Sequence, residues 1–216
     1  PFFDKEVDKD VISHYLCNKY LAAPMCIFKN TYKMIPGTIL EYQNDEIKCI
    51  TYWDVVDQYN QGSSKKMSDY QECKYAIDDI LQDAISSRLV ADVPVGTFLS
   101  GGIDSTLVTA IAQKNASSPV NTYSIGFHDE ERNEAPYSAE IARYLGTKHH
   151  EHYVEEQDIF ELIDDLPQYF DEPFSDSSQL PTMLVSKFAS HDITVALSGD
   201  GGDEVFCGYK MYDWTW

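Results

Sequence analysis

Over residues 95–106 the chain reads Val-Gly-Thr-Phe-Leu-Ser-Gly-Gly-Ile-Asp-Ser-Thr. The apolar residues at its start predict a short buried strand, Val95–Leu99, and the two glycines predict a turn. Asp104 and Ser105 then open an amphipathic helix, which we expect over Ser105–Lys114. A strand that turns through glycines into a helix N-terminus exposes backbone N–H groups and the positive end of the helix dipole. This stretch therefore predicts an anion-binding loop at the carboxyl end of a strand.

The pattern of this loop is Ser-Gly-Gly-x-Asp-Ser, which differs from the two commonest phosphate-binding patterns. No lysine follows the glycines, as it would in a Walker A loop, and the glycine spacing is not that of a dinucleotide fold. The pattern resembles the pyrophosphate loop of ATP pyrophosphatases, which adenylate a substrate. Ser100 and Ser105 offer hydroxyls to phosphate oxygens, and Asp104 suits either an N-cap or a metal-bridged phosphate. The simpler alternative is an ordinary strand–helix turn with a good N-cap.

Strand and helix candidates alternate along the rest of the chain. A long amphipathic helix is expected from Ser68 to the region of Asp92. The further strands are predicted at Val120–Phe127, Glu151–Val154 and Ile193–Leu197, and the further helices at Glu134–Leu145, Asp158–Phe170 and Gln179–Ser190. This alternation predicts an α/β fold, with a parallel twisted sheet, helices on both faces and a smaller irregular segment before it. Ligands of such sheets bind at the carboxyl ends of strands, so loops 100–105, 127–134 and 198–204 are expected to converge.

The loop after the last predicted strand is acidic and rich in glycine. It reads Ser198-Gly-Asp-Gly-Gly-Asp-Glu, with three carboxylates within seven residues. Carboxylates this close repel one another unless a cation or a donor lies among them. Oxygen ligands beside a phosphate loop suit Mg²⁺, and the spacing does not fit an EF-hand. A solvated acidic turn or a calcium-like loop is the alternative.

Two other polar segments can be explained by structural roles. His149, His150 and His152 suggest a metal site, and His150 and His152 share one face of a strand. No third ligand accompanies these two at suitable spacing, so packing or surface polarity is favoured over zinc. Residues 171–178 read Asp-Glu-Pro-Phe-Ser-Asp-Ser-Ser. We expect Asp176 or Ser177 to cap the next helix, which is compatible with a substrate-facing role for the same loop.

Length and charge narrow the functional classes. The chain has 216 residues, 43% of them hydrophobic, which suffices for one α/β domain and an appended segment. Its formal net charge of −20 argues against a nucleic-acid partner, which requires a basic surface. Five widely spaced cysteines without a CxxC pair fit free thiols in a reducing compartment. No signal peptide or long apolar span is present, so we expect a cytoplasmic protein that does not bind a membrane.

Five motifs in order resemble the synthetase half of glutamine-dependent asparagine synthetase. They are SGGIDS from Ser100, Ser124-Ile-Gly-Phe with Asn133-Glu-Ala, Leu145-Gly-Thr-Lys-His-His-Glu, DEPFSDSS from Asp171 and SGDGGDEVFCGY from Ser198. The resemblance implies an adenine nucleotide α hydrolase-like fold of the pyrophosphate-loop type. Residues 1–60 resemble the lead-in from an N-terminal glutaminase domain, at Tyr20, Pro24, Pro36-Gly37 and Tyr52-Trp53. Residues 61–216 resemble the ATP-binding synthetase domain, truncated at its C-terminus.

The resemblance also implies roles for individual residues. Pyrophosphate would be held by Ser100, Gly101, Gly102, Asp104 and Ser105. The adenine would lie against the Phe98–Leu99 backbone and Ile125, the AMP portion against Ser198 and Gly199, and Glu134 would face the nucleotide. The catalytic residues would be Asp200, at the reacting centre, and Asp203, which with Asp104 would hold Mg²⁺.

The implied reaction has two steps. The side-chain carboxylate of aspartate attacks ATP and releases pyrophosphate, and ammonia then displaces AMP from β-aspartyl-AMP to give asparagine. The implied cofactors and partners are ATP, Mg²⁺, aspartate, ammonia and a glutaminase domain, and a homodimer is compatible with them. The family's N-terminal cysteine nucleophile and a later lysine are missing, and Lys210 is too close to the acidic loop to replace that lysine. We therefore expect this chain alone to bind ATP–Mg²⁺ without necessarily turning it over.

Two other functions are open at this point. One is a related amidotransferase, or a β-lactam synthetase, with the same ATP chemistry and a sugar, peptide or β-lactam-precursor carboxylate as acceptor. The other is a non-catalytic nucleotide-binding module, which would be indicated by loss of Asp104 or Asp203, and both are present.

Overall fold

The computed structural model describes residues 4–129 and 133–214, apart from the side chains of 213 and 214. The helices are α1 Ile12–Asn18, α2 Val55–Ser63, α3 Tyr70–Arg88, α4 Ile103–Asn115, α5 Ala135–Leu145, α6 Glu156–Ile163, α7 Leu166–Tyr169, α8 Gln179–Ala189 and α9 Gly202–Phe206. The strands are β1 Thr38–Gln43, β2 Glu46–Thr51, β3 Val95–Phe98, β4 Asn121–Gly126, β5 Lys148–Tyr153 and β6 Val195–Leu197. Short 3-10 turns occur at Lys9–Val11 and Lys210–Trp214. Two compact units result, one made of the chain up to Cys73 with Leu166–Asp176, the other of Lys74–Asp165 with the chain from Ser177.

The second unit contains a parallel sheet, which among the described residues has the strand order β5-β4-β3-β6. Gly96 of β3 pairs with Asn121 of β4 on one side and with Ala196 of β6 on the other. The chain therefore adds β4 and β5 to one side of β3 and later returns to place β6 on the other side. A sheet with this order has a topological switch point between β3 and β6, and the crevice at their carboxyl ends is the preferred ligand position.

Helices cover both faces of this sheet, which confirms the predicted α/β architecture. Successive residues of a strand point to opposite faces. In β3, the buried Thr97 side chain meets Thr109 of α4, whereas Phe98 packs in a cluster with Val185 and Ala189 of α8. The core on the α4 side consists of Ile85, Ile111, Ala112 and Val120, and that on the α8 side centres on Tyr123, Val185, Ala189 and Ile193.

The Thr97–Thr109 contact predicts a specific pattern of stability changes. Both side chains are fully buried, and their hydroxyl oxygens are 2.9 Å apart. Thr109→Val removes the partner of the Thr97 hydroxyl, so we expect a loss of about 1–3 kcal/mol in the free energy of unfolding, measured in urea. Replacing both threonines by valine is expected to restore most of this loss, because no hydroxyl is then left without its partner. A double variant that loses as much as the sum of the single variants would contradict this interpretation.

One predicted helix is wrong in its extent. We expected a single helix over Asp158–Phe170, but α6 ends at Ile163 and a separate turn, α7, begins at Leu166. Pro167 explains the break, since proline has no N–H to donate to the carbonyl of Ile163 and its ring clashes with that carbonyl. Helix α8 begins at Gln179, so its N-cap residue is Ser178 rather than the expected Asp176 or Ser177.

The histidine-rich strand β5 begins three residues before the strand predicted at Glu151, since polar residues on an edge strand give no apolar signal. Each of its three histidines contacts a neighbouring side chain. His149 Nδ1 lies 2.8 Å from the Thr122 hydroxyl, and burial lowers the pKa of the His149 imidazole. The ring of His150 stacks on Tyr123 at 4.8 Å, and His152 Nε2 lies 3.1 Å from an Asp158 carboxylate oxygen.

The first unit contains α1 and the antiparallel hairpin β1–β2. Asn44 and Asp45 at the hairpin turn both have positive φ, as a two-residue type I′ turn requires. Glu172 accepts a hydrogen bond from the Ile27 amide at 3.3 Å and pairs with Lys33, which also donates to the Leu21 carbonyl. Residues 166–176 therefore fold with this unit. That residues 1–60 connect an N-terminal glutaminase domain to the rest of the chain stays a prediction.

In the part of the chain that the structure describes, no helix combines the length and the apolar character needed to cross a membrane.

Candidate active site

The loop after β3 is organised by its own glycines and hydroxyls. Gly101 has a φ of +89°, which favours glycine, and a Cβ there would lie 3.2 Å from the Cβ of Tyr137 in α5. The Ser105 hydroxyl accepts a hydrogen bond from the Ser100 amide at 3.2 Å and lies 3.0 Å from the Ser100 hydroxyl. Gly102 is the N-cap residue of α4, so Asp104 lies within the first turn and the N-cap alternative for it is wrong. Two hydroxyls therefore lie together at the N-terminus of a 13-residue helix.

The loop after β6 touches the N-terminus of α4. A Cβ at Gly199 would lie 2.6 Å from the Ser105 backbone nitrogen and 2.9 Å from the Asp104 carbonyl carbon. A Cβ at Gly202 would lie 2.4 Å from the Asp104 carboxylate carbon. Only glycine permits so close an approach at these positions. The structure thus brings the Ser-Gly-Gly-x-Asp-Ser loop and the acidic loop into direct contact at the β3/β6 switch point.

The acidic side chains of this region are held at defined positions. Asp200 accepts a hydrogen bond from the Ser198 hydroxyl at 2.9 Å. Asp203 packs against the backbone of Gly208, where a Cβ would lie only 1.8 Å from its carboxylate oxygen. Glu204 accepts a hydrogen bond from the Tyr209 hydroxyl at 2.8 Å, and this bond raises the pKa of Tyr209 to about 12. Asp200, Asp203 and Glu204 therefore form a negative edge beside the α4 N-terminus.

The electrostatic surroundings of Asp104 disfavour a negative charge on its carboxyl. Burial, followed by the charges of Asp203 and Glu204, raises the pKa of the Asp104 carboxyl above its ordinary value. A divalent cation near Asp104 and Asp203 would relieve this repulsion. Within residues 4–129 and 133–214, no group of three or more His, Cys, Asp or Glu side chains could by itself hold a metal ion. Mg²⁺ bound to a nucleotide needs only one or two protein carboxylates, because phosphate oxygens and waters complete its shell, so the donor set fits.

The loop after β4 borders the same edge of the sheet. Glu134 is the N-cap residue of α5, and its carbonyl oxygen would lie 3.6 Å from a Cβ at Gly101. Asn133 closes this loop by accepting hydrogen bonds from the amides of Phe127 and Ala135, at 3.3 and 3.2 Å. The predicted loop 127–134 includes residues 130–132, which lie outside the described residues.

The residues expected beside the adenine lie at the ends of β3 and β4. Leu99 is fully buried and its amide donates to the Tyr123 carbonyl at 2.9 Å, so its side chain faces the core. Phe98 and Ile125 pack on the α8 side of the sheet. The structure thus places the predicted nucleotide, metal and catalytic residues of this unit along one edge of the sheet.

Three positions of this edge were not singled out from the sequence, namely Gly202, Gly208 and Tyr209. Gly202 meets Asp104 of the other loop, whereas the contacts of Gly208 and Tyr209 arise because the chain turns back on itself through Cys207, at a φ of +58°. The available signal was the end of the motif SGDGGDEVFCGY, where a glycine and a tyrosine follow the acidic residues closely.

The chain is similar to known proteins over most of its length. The family model named Asparagine synthase matches residues 76–216. A relative from Methanocaldococcus jannaschii, named as a glutamine-hydrolyzing asparagine synthetase, is 39% identical over 96% of this chain and 40% of its own length. Asparagine synthetase (glutamine-hydrolyzing) 1 of Bacillus subtilis is 30% identical over 97% of this chain and 32% of its own length. This chain thus spans 40% and 32% of the length of these two relatives.

Among solved structures, the NH3-dependent NAD synthetase from Campylobacter jejuni, in complex with the nitrate ion, has a TM-score of 0.43 and 17% identity. That match covers 65% of this chain and 61% of the other.

Proposed function

The chain belongs to the asparagine synthase family, and on that basis we propose that it supplies the ATP-using part of a glutamine-hydrolysing asparagine synthetase. In the proposed reaction, the side-chain carboxylate of aspartate attacks the α-phosphorus of ATP. The bond to the bridging oxygen breaks, pyrophosphate leaves, and β-aspartyl-AMP remains. Ammonia then attacks the activated carbonyl, AMP leaves, and asparagine is formed. The observation that supports this most is the contact of Gly199 with the Asp104–Ser105 backbone, which joins the two loops such a site requires.

The pyrophosphate would be bound at the N-terminus of α4. Backbone N–H groups of its first turn have no partner within the helix, and the helix dipole favours an anion there. The hydroxyls of Ser100 and Ser105, 3.0 Å apart, would exchange their mutual hydrogen bond for phosphate oxygens. Gly101 and Gly102 would let the backbone approach these oxygens closely. This part of the chain therefore binds and orients the leaving group.

The cation would be held by Asp104 and Asp203. When bound, Mg²⁺ supplies positive charge to the departing pyrophosphate. Asp104 lies against Gly202 and Asp203 lies against Gly208, so both carboxylates are found where the two loops meet. Asp200, oriented by the Ser198 hydroxyl, would face the reacting centre. The adenine would lie against the Phe98–Leu99 backbone and Ile125, with Ser198 and Gly199 at the AMP portion and Glu134 beside the nucleotide.

An isotope experiment tests the proposed activation. Full-length protein is incubated with ATP, Mg²⁺, ammonia or glutamine, and aspartate labelled with ¹⁸O in its side-chain carboxylate. We expect pyrophosphate release that depends on aspartate, asparagine as the amide, and one labelled oxygen in AMP. ADP and phosphate as products, or AMP without label, would contradict the proposed attack on the α-phosphorus. Aspartate-independent turnover with a sugar, peptide or β-lactam-precursor carboxylate would instead favour the related amidotransferases.

A further inference from the structure

The segment after α9 folds back on the acidic loop. Helix α9 ends at Phe206, and the left-handed backbone conformation of its C-cap residue, Cys207, reverses the chain. The Gly208 amide then donates to the Asp203 carbonyl at 3.0 Å. This reversal brings the Tyr209 side chain beside Glu204, where its hydroxyl donates to one carboxylate oxygen, Oε1, at 2.8 Å. The Tyr209 ring also contacts Tyr212, with ring centroids 5.8 Å apart. An aromatic side chain with two torsion angles is thus placed against a flexible acidic one.

Glu204 is the third carboxylate of the negative edge, yet the proposed mechanism gives it no role. It directly follows Asp203 in α9, and Gly202 of the same helix lies against the Asp104 carboxylate, so the three carboxylates belong to one region. A glutamate has more rotatable bonds than an aspartate, and an exposed one samples several rotamers. The position of this charge relative to the other two carboxylates therefore depends on what restrains it, and the restraint in the structure is the Tyr209 hydroxyl.

We propose that Tyr209 is a positioning residue that fixes the Glu204 carboxylate beside Asp104 and Asp203, and thereby strengthens binding of a nucleotide-bound divalent cation. The inference rests on the proposed function, since the cation would arrive with ATP. With Oε1 bonded to the tyrosine, the Glu204 carboxylate is held at one position after Asp203 instead of sampling several rotamers. The hydrogen bond joins a neutral donor to an ionised acceptor, the stronger class of hydrogen bond.

The test compares ATP binding with and without the cation. Isothermal titration calorimetry of full-length Tyr209→Phe is expected to show Mg²⁺–ATP affinity reduced about five- to tenfold, because binding must then order a Glu204 side chain that is free to rotate. The affinity for ATP in EDTA is expected to equal that of the wild-type protein, which a general distortion of the site would not allow. Tyr144→Phe is the matched control, because Tyr144 is 89% exposed on α5, and it is expected to bind as the wild type does.

A double-variant cycle separates action through Glu204 from other effects. If Tyr209 acts through this carboxylate, Tyr209→Phe causes no further loss in a Glu204→Gln background. Equal losses in both backgrounds, or unchanged Mg²⁺–ATP affinity in Tyr209→Phe, would overturn the inference. Should Tyr209→Phe fail to fold, Glu204→Gln alone decides, since it must lower the affinity for Mg²⁺–ATP but not for ATP in EDTA. Failure of the proposed function is distinct, because the wild-type protein would then show no Mg²⁺-dependent ATP binding.

Discussion

Asp104→Asn is expected to lower aspartate-dependent pyrophosphate release by about two to three orders of magnitude, the usual cost of removing one electrostatic contact to the transition state. The substitution keeps the shape of the side chain and its packing against Gly202, but it removes the charge that would hold the cation at the leaving group. The measurement is the steady-state rate of pyrophosphate release in the full-length protein. Activity close to that of the wild type would mean that the pyrophosphate site lies elsewhere.

The same variant is expected to be at least as stable as the wild-type protein. Because burial and neighbouring carboxylates raise the pKa of Asp104, its ionised form costs folding free energy at neutral pH. A neutral asparagine removes that cost, so the thermal midpoint should stay the same or rise while activity falls. Asp79→Asn provides the control, since it makes the same chemical change on an exposed position of α3. A variant that loses activity only because it unfolds would show a lowered midpoint, contrary to this prediction.

The sequence predicts a strand or helix well where the signals for it lie in adjacent residues. Over residues 95–115 an apolar strand, two glycines and an amphipathic helix follow one another directly, and β3 and α4 lie there. The prediction fails where a strand or helix boundary depends on a neighbour. Strand β5 is polar at its start, and it becomes a strand because β4 pairs with it from Asn121 onward.

The candidate site likewise has residues that the sequence predicts and contacts that it does not. Ser100, Gly101, Asp104 and Asp203 stand out because their residue types and spacing are unusual in any chain. The contacts of Asp203 with Gly208 and of Glu204 with Tyr209 do not stand out, because they arise only once the chain has reversed at Cys207. Gly208 is an ordinary glycine in the sequence, and its importance lies in the Asp203 carboxylate packed against it. Contacts of this kind follow from tertiary structure and have no local signature.

Gly199→Ala is expected to weaken Mg²⁺–ATP binding by about 10²-fold, the effect that a displacement of roughly 1 Å can have on an organised site. The added methyl group would lie 2.6 Å from the Ser105 backbone nitrogen, so the two loops must separate. Backbone atoms of a helix cannot yield as the end of a side chain can. A loss of about 1–3 kcal/mol in unfolding free energy should accompany the change, as for other overpacked positions. Calorimetry and urea unfolding of the full-length protein measure the two effects.

Gly62→Ala is the matched control, because a Cβ at this position in α2 has no atom within 4 Å. The same methyl group should leave Mg²⁺–ATP binding unchanged there and raise the stability of α2, since alanine favours a helix over glycine by about 1 kcal/mol. If Gly199→Ala bound Mg²⁺–ATP as tightly as Gly62→Ala does, contact between the two loops could not be a condition for holding the nucleotide. The proposed function would then lose its main structural support, whatever the sequence motifs suggest. If binding is lost in Gly199→Ala but not in Gly62→Ala, nucleotide binding depends on the close contact of the two loops, which leaves no room for a side chain at Gly199.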